Sequence, residues 1–390
     1  MYCIDMNDRI KVAFLDYSPH YAGAERAMVS LISGLRDTDY NGCIIAPYPL
    51  PHHSRFKEFG VELHYLNVRK KWWMGSDYWK SPIRGSDFIK RLLFGMQLSI
   101  FLRKKVISIL HVNLLRPDCG MLLLFPRLAS VKILGHYRSI SQSWTPPRLV
   151  RALCHQIICV SKVVQDNLVK VRGHEKSRVV YDPVATHLST TETKEESKIR
   201  WGCNANRFLF ASVAYLSPHK GHDNAIHAFC KFAEDYPDCE LLIAGGGPDA
   251  ELQRLKNIAS EYPQFSSRIH FTEEQVSDVA SVYNAADVVL SLTKNGEAFG
   301  LVPYEAAMLG TPCIAPRRGA IMEIVEDEKH AFLVETESVE DIASCMCKLM
   351  REYQQKKNVT QVLKQLVNER LSRVAHVQAV VRVYDNLLKR

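Results

Sequence analysis

Asn295-Gly296-Glu297-Ala298-Phe299-Gly300-Leu301-Val302-Pro303-Tyr304-Glu305-Ala306-Ala307 is the stretch whose reading decides the fold. Two carboxylates stand in it with seven residues between them. Just before it, Ala286-Asp287-Val288-Val289-Leu290-Ser291-Leu292 is an apolar run rich in β-branched residues, the pattern of a buried parallel strand. Pro303 suits the first helical position, where its missing N–H is no loss. The helix it opens runs through Glu305-Ala306-Ala307-Met308-Leu309 and stops near Gly310. The unit is therefore strand, loop, helix, with the loop at the strand's carboxyl end, where open α/β sheets bind ligands. N–H groups around Phe299, Gly300 and Leu301 then lie at a helix N-terminus, a natural cradle for phosphate. Glu305, in the first turn, suits ribose hydroxyls better than phosphate.

Working outward, the second half repeats this unit. Arg207–Ala214 reads as a strand, Tyr215-Leu216-Ser217-Pro218-His219-Lys220-Gly221-His222-Asp223 as its loop, and a helix starts at Asn224. Strand Cys239–Ala244 leads into Gly245-Gly246-Gly247-Pro248. Ile269–Thr272, a helix from Val276 to Asn284, and a strand entry at Gly310–Pro316 follow. The first half has the same rhythm. Strand Arg9–Asp16 runs into a loop with Gly23 before an amphipathic helix (Ala27, Met28, Leu31, Ile32, Leu35). Strands are expected at Gly42–Pro47, Val61–Leu66, Ile107–Asn113 and Val131–Gly135, the last ending at His136-Tyr137-Arg138-Ser139. Residues 69–86 interrupt the pattern with a basic loop carrying Trp72, Trp73, Tyr78 and Trp79, whose rings would stack on sugars, sit at a membrane interface or tuck into a core. Asp87–Lys105 is a helix with a large apolar face between basic residues, either a covering helix of the sheet or one that lies on a membrane. Gln156–Lys162 is strand and turn with Ser161 as a helix cap. Val179–Val184 closes the first half, Thr190–Lys198 is polar enough for surface or linker, and Val374–Leu388 is a terminal helix.

Glu297 and Glu305 with their flanks resemble the E-x7-E motif of the family-4 glycosyltransferases, which are retaining enzymes of the two-domain GT-B fold. Gly23-Ala24-Glu25-Arg26 is similar to that family's G-G-A-E-R entry, with Ala22 in place of the first glycine. Lys220-Gly221 and Asp223 match its Lys-Gly-x-Asp loop, and Gly245-Gly246-Gly247-Pro248 its Gly-x-Gly-Pro. Gly319-Ala320-Ile321-Met322-Glu323 resembles Gly-Gly-x-Pro-Glu, and His136 matches a strand-tip histidine. Ala214 and Tyr215 stand where the family has Gly and Arg.

The resemblance implies an α/β chain of two Rossmann-like doubly wound parallel-sheet domains facing a central cleft. Residues 1–185 would bind acceptor, residues 186–370 would bind the nucleotide-sugar donor, and residues 371–390 would form a helix crossing back to the first domain. It implies that His136, Lys220 and Glu297 serve catalysis. Gly23, Lys220, Gly245, Gly247, Glu297, Ala298, Phe299, Gly300, Leu301 and Glu305 would hold the donor. Trp72, Trp73 and Arg138 are candidates for acceptor contact. The implied reaction moves a sugar from a nucleoside-diphosphate sugar to a hydroxyl of a glycan or lipid-linked acceptor, without a metal or other cofactor, in bacterial surface polysaccharide or glycoconjugate synthesis. In the family, an arginine and the lysine together neutralise the leaving diphosphate, so Tyr215 leaves Lys220 alone in that task. Three alternatives remain: a GT-B epimerase or phosphorylase, a non-catalytic nucleotide-binding or scaffold subunit, and a dinucleotide-dependent dehydrogenase. A phosphorylase needs a pyridoxal-phosphate lysine site that nothing in the sequence identifies, and a dehydrogenase lacks G-x-G-x-x-G after the first strand.

Composition agrees with a globular protein. The 390 residues suffice for two domains, and 47% hydrophobic with 24% charged residues is ordinary. No apolar stretch is long enough to span a bilayer, and the first residues do not read as a secretory signal. Eleven scattered cysteines without a framework fit a reducing cytoplasm. The net charge of +8 is uneven: residues 1–185 hold 27 Lys+Arg against 14 Asp+Glu, and the remainder 23 against 28. With no nucleic-acid motif beside it, this basic half points to an anionic membrane or a phosphate-bearing acceptor, and to a cytoplasmic protein peripheral on the membrane's inner face.

Overall fold

The computed structural model describes residues 9–18, 23–66, 85–140, 146–169, 176–185, 188–272 and 276–389. Two compact units divide the chain: Met1–Pro183 with Arg373–Arg390, and Val184–Ser372. Residues 67–84, which hold Trp72, Trp73, Tyr78, Trp79 and most of the basic loop expected at 69–86, lie outside the described residues.

In the first unit the strands are β1 (Ile10–Leu15), β2 (Tyr40–Ala46), β3 (Glu62–Tyr65), β4 (Ile109–Val112), β5 (Lys132–Tyr137), β6 (Gln156–Cys159) and β7 (Ser177–Val179). All pairs are parallel, in the order β3-β2-β1-β4-β5-β6-β7. Both faces of such a sheet need cover, which is why its strands are continuously apolar. Val12, Phe14, Ile44 and Ile109 pack with Met28, Leu31, Ile32 and Leu35 of the helix Gly23–Leu35. The terminal helix Arg373–Leu388 adds Val377, Val380, Val383, Tyr384 and Leu387 to the same core.

In the second unit β8 (Phe208–Val213), β9 (Cys239–Ala244), β10 (Ile269–Phe271), β11 (Val288–Leu290), β12 (Cys313–Pro316) and β13 (Phe332–Val334) form a parallel sheet in the order β10-β9-β8-β11-β12-β13. Each sheet thus reverses its strand order once, between β1 and β4 and between β8 and β11. In open α/β sheets ligands bind at such a reversal, outside the strands' carboxyl ends.

Two details differ from the sequence reading. Helix Val302–Met308 starts one residue early, so Pro303 holds its second position, where an N–H is equally dispensable. Part of the polar stretch Thr190–Lys198 is not linker but the start of helix Lys194–Arg200, opened by a reciprocal Thr193–Glu196 cap. The helix serves a buried charge. Lys198 Nζ and Lys194 Nζ donate to Asp287 at 2.8 and 2.9 Å, and the Leu209 N–H donates at 2.9 Å. A 32-residue helix, Val339–Arg370, kinked at Glu352, is a further element.

Burial pushes the Asp287 carboxyl up, but the two ammonium groups and the Leu209 N–H outweigh it, and its pKa falls below the ordinary value. A depressed carboxyl stabilises above its unfolded pKa, near 3.9, and that contribution fades as pH falls through the folded value. Asp287→Asn, which leaves Lys198 buried without its counter-charge, is expected to cost about 3 kcal/mol at pH 7. The gap to the parent protein should narrow below about pH 4. Thermal unfolding of both proteins at pH 7 and pH 3.5 checks this, and an equal gap at both pH values contradicts it.

Candidate functional site

At the β8/β11 reversal of the second unit, two loops meet. The loop after β8 ends in a 3₁₀ turn, Pro218–Lys220, and Gly221 at φ +76°. A side chain at Gly221 would place its Cβ 2.1 Å from the Leu292 carbonyl oxygen, so only glycine lets this loop lie against the one after β11. The Lys294 N–H, donating to the His219 carbonyl at 2.9 Å, ties the two together. Across this seam Lys220 Nζ forms an ion pair with Glu297 Oε1, which also accepts from the Thr293 hydroxyl at 2.7 Å. Burial pushes the Glu297 carboxyl up; Lys220 and Thr293 more than reverse that and hold it below the usual carboxylate range. Gly300, at φ +79°, leaves room for Glu297: a Cβ there would stand 2.7 Å from Oε2. The Ala320 N–H donates to the Glu297 carbonyl at 3.1 Å, fixing the carboxylate's backbone as well.

The remaining expected donor residues sit on the same edge. Ala298, Gly300 and Leu301 are partly exposed, whereas Phe299 is buried and stacks with Tyr304 at 5.4 Å between ring centres. Glu305 is buried, and Oε2 accepts from the Tyr283 hydroxyl at 3.0 Å. The Gly245 N–H donates to Thr272 Oγ1 at 2.9 Å, and the Leu216 N–H donates to the Gly246 carbonyl at 2.9 Å, which brings the loop carrying Gly247 against the one after β8. Tyr215 is 61% exposed, and its phenol supplies no positive charge in an arginine's place. Other cations of this edge are paired with carboxylates. Lys294 Nζ lies 2.8 Å from Asp223, Arg254 binds Glu251 at 2.8 Å, and Arg318 binds Glu335 at 2.7 Å. Thr293 and its bond to Glu297 were not read from the sequence. A hydroxyl four residues before a carboxylate at a strand end is the one signal available.

His136 and Arg138 belong to the first unit, at the end of β5. His136 is fully buried, and burial, then the Arg138 charge, holds its pKa well below the ordinary imidazole value. Arg138 donates to His136 Nδ1 at 3.0 Å and to the Asn113 carbonyl at 3.2 Å, and pairs with Asp182. Its guanidinium therefore organises the interior of this unit. Gly23 is the first residue of its helix, as the strand–glycine–helix reading requires.

Two clusters of metal-ligating residue types occur among the described residues: Asp16, His52 and His53, and Cys203, Glu240 and His270. In the first, the Leu50 N–H donates to His53 Nδ1 at 3.2 Å, so this ring's proton sits on Nε2, which donates to Asp16 Oδ2 at 3.1 Å. In the second, Glu240 accepts from the Asn204 N–H at 2.8 Å and from Arg207 at 3.2 Å, and burial pushes the Cys203 thiol up to about 12. Both clusters are held by the chain's own hydrogen bonds.

Residues 193–365 match the family described as Glycosyl transferases group 1. The D-inositol 3-phosphate glycosyltransferase of Mycobacteroides abscessus is 29% identical over 201 residues, 50% of this chain and 44% of the relative. The N-acetyl-alpha-D-glucosaminyl L-malate synthase of Bacillus anthracis is 24% identical over 221 residues, 56% of each chain. The chain spans about half the length of the curated relatives it matches. In fold it is similar to Anabaena Alr3699/HepE, solved in complex with UDP (TM-score 0.78, 18% identity, 97% of this chain and 100% of that one). It is also similar to a glycosyltransferase from Rickettsia africae (TM-score 0.82, 16% identity, 98% of this chain and 100% of that one). The fold expected from the sequence, two Rossmann-like parallel α/β domains of the GT-B class, is the fold found, and residues 193–365, within the second unit, match the group 1 glycosyl transferases.

Proposed function

We propose that the chain transfers a sugar from a nucleoside-diphosphate sugar to a hydroxyl of a glycan or lipid-linked acceptor, with retention of anomeric configuration and without a bound metal. The carrying observation is the Lys220–Glu297 pair, held at the strand-order reversal by two glycine-dependent loop contacts. In this reading Lys220 and the backbone amides of residues 298–301 stabilise the departing diphosphate, the largest electrostatic demand of the reaction. Glu297 and His136 orient sugar hydroxyls, and Glu305 holds ribose. The complexes of Anabaena Alr3699/HepE with UDP and with UDP-glucose, and the similarity to glycosyltransferases, support a nucleotide-sugar donor. The exposed Tyr215 favours one competing reading, a scaffold that keeps nucleotide binding without turnover.

Thermal unfolding against UDP, UDP-glucose and the other nucleoside diphosphates, with and without EDTA, tests donor binding. A diphosphate at a hundredfold its Kd should stabilise the chain by about 2.7 kcal/mol, equally with EDTA. Lys220→Ala should abolish the shift. No shift with any diphosphate would sink the donor site; a shift lost in EDTA would sink metal independence. With a donor in hand, Glu297→Ala should lower turnover by about 10²-fold or more. A parent protein that binds the donor but never turns it over is the scaffold.

The acceptor side points to a lipid surface. No helix among the described residues is long and apolar enough to cross a membrane. Helix Gly85–Lys104 nevertheless buries Phe94, Leu98 and Leu102 and leaves Ile89, Leu93, Met96 and Ile100 exposed, a stripe at helical spacing. Leu124 and Leu128 of the neighbouring helix Gly120–Leu128 extend it, and the exposed cations Arg103, Lys104, Lys105 and Arg127 border it. Exposed apolar residues beside cations fit an anionic bilayer. The protein should sediment with phosphatidylserine vesicles at low salt, and Ile100→Glu with Leu128→Glu should release it. A parent protein that stays in solution, or a variant that still pellets, contradicts this face.

A further inference from the structure

We infer that Arg138 is a positioning residue that fixes His136 as the neutral tautomer with its proton on Nε2, a polarity that His111 and Tyr384 then follow. The value of this for the reaction rests on the reading of His136 as a group that orients sugar hydroxyls. The arrangement itself follows from hydrogen-bond directions within the first unit.

A guanidinium has donors only. Arg138 lies 3.0 Å from His136 Nδ1, so that nitrogen accepts, and the ring's one proton is on Nε2. His111 Nε2 also faces His136 Nδ1, at 3.3 Å. It meets an acceptor and must therefore carry the proton of its own ring. His111 Nδ1 is then bare and accepts from the Tyr384 hydroxyl at 2.8 Å. Burial pushes the Tyr384 phenol well above its ordinary value, so this hydroxyl keeps its proton. Burial, followed by the Arg138 charge, holds both imidazoles well below theirs, so neither takes a second proton.

The chain thus runs one way: Tyr384 O–H to His111 Nδ1, then His111 Nε2–H to His136 Nδ1. Without Arg138 the opposite polarity would serve the two histidines equally well. Arg138 is itself held by the Asn113 carbonyl at 3.2 Å, by Asn113 Oδ1 at 3.4 Å and by its pair with Asp182. Tyr384 comes from the terminal helix, 273 residues from His111 in sequence. The far end of the chain is His136 Nε2, which has no hydrogen-bond partner among the described residues. Asp182 Oδ1 stands 3.9 Å away, beyond bonding distance, and equally has none among them.

Long-range ¹H–¹⁵N spectra of the full chain labelled at histidine, without nucleotide at pH 7, read the tautomers directly, with His111→Gln and His136→Gln assigning the signals. Both rings are expected to show a protonated Nε2 and a bare Nδ1. Tyr384→Phe, which leaves Arg138 and the contact between the two rings in place, should leave both tautomers as they are. Arg138→Met should turn His136 into a mixture of tautomers, and Arg138→Lys, which keeps a donor, should restore the single form. His136 protonated on Nδ1 in the parent protein overturns the inference, as do unchanged tautomers in Arg138→Met. If Arg138→Met does not fold, the spectrum of the parent protein decides by itself, since it must show His136 protonated on Nε2 alone. The spectra need no donor, so failure to bind nucleoside diphosphates would overturn the proposed function and leave this result standing.

Discussion

A parallel sheet covered on both faces offers a ligand nothing but the ends of its strands. Lys220 is carried past β8 and Glu297 past β11, and the two can work together only if their loops touch. That contact has a single geometric solution here. Gly221 lies so close to the Leu292 carbonyl that a Cβ would penetrate it, and the Lys294 N–H spans the seam to His219. Lys220 and Glu297 are neighbours because of this approach, although 77 positions separate them. Their mutual charge and the Thr293 hydroxyl then keep the carboxylate ionised against burial. Loop packing thus comes first, and the electrostatics of the site follow from it.

The strands were legible because covering both faces leaves continuous β-branched runs, and the order of elements followed from the alternation of such runs with helical periods. Ladders are shorter than runs: Ala286–Leu292 yields only Val288–Leu290, and the Asp287 side chain just before it is paired with Lys194 and Lys198. The same pairing explains why Thr190–Lys198 reads as linker. Its polar residues look solvated until a partner some ninety positions away is known. Helix Val339–Arg370 escapes notice for a related reason. Its segment from Arg351 to Asn358 is polar all round, without the apolar stripe that marks a helix in sequence. At the site, Glu297, Glu305, Lys220 and the glycines are visible as a motif. Thr293, His111 and Tyr384 are not, since each matters only through a partner that folding supplies.

The interior of the first unit follows a stricter rule. A buried charge is tolerated when its hydrogen bonds are met, and removing one partner is far costlier than the pair's net worth. Arg138 satisfies this with Asp182, both acceptors of Asn113 and the His136 ring. A second positive charge beside it would have no such compensation, which is why the two imidazoles stay neutral and relay polarity instead of charge. Replacing the whole network by apolar side chains would cost the fold little, by the usual balance of desolvation against Coulomb attraction. What the network does at the carboxyl ends of β4 and β5 is give one N–H a direction, which an apolar filling would not do.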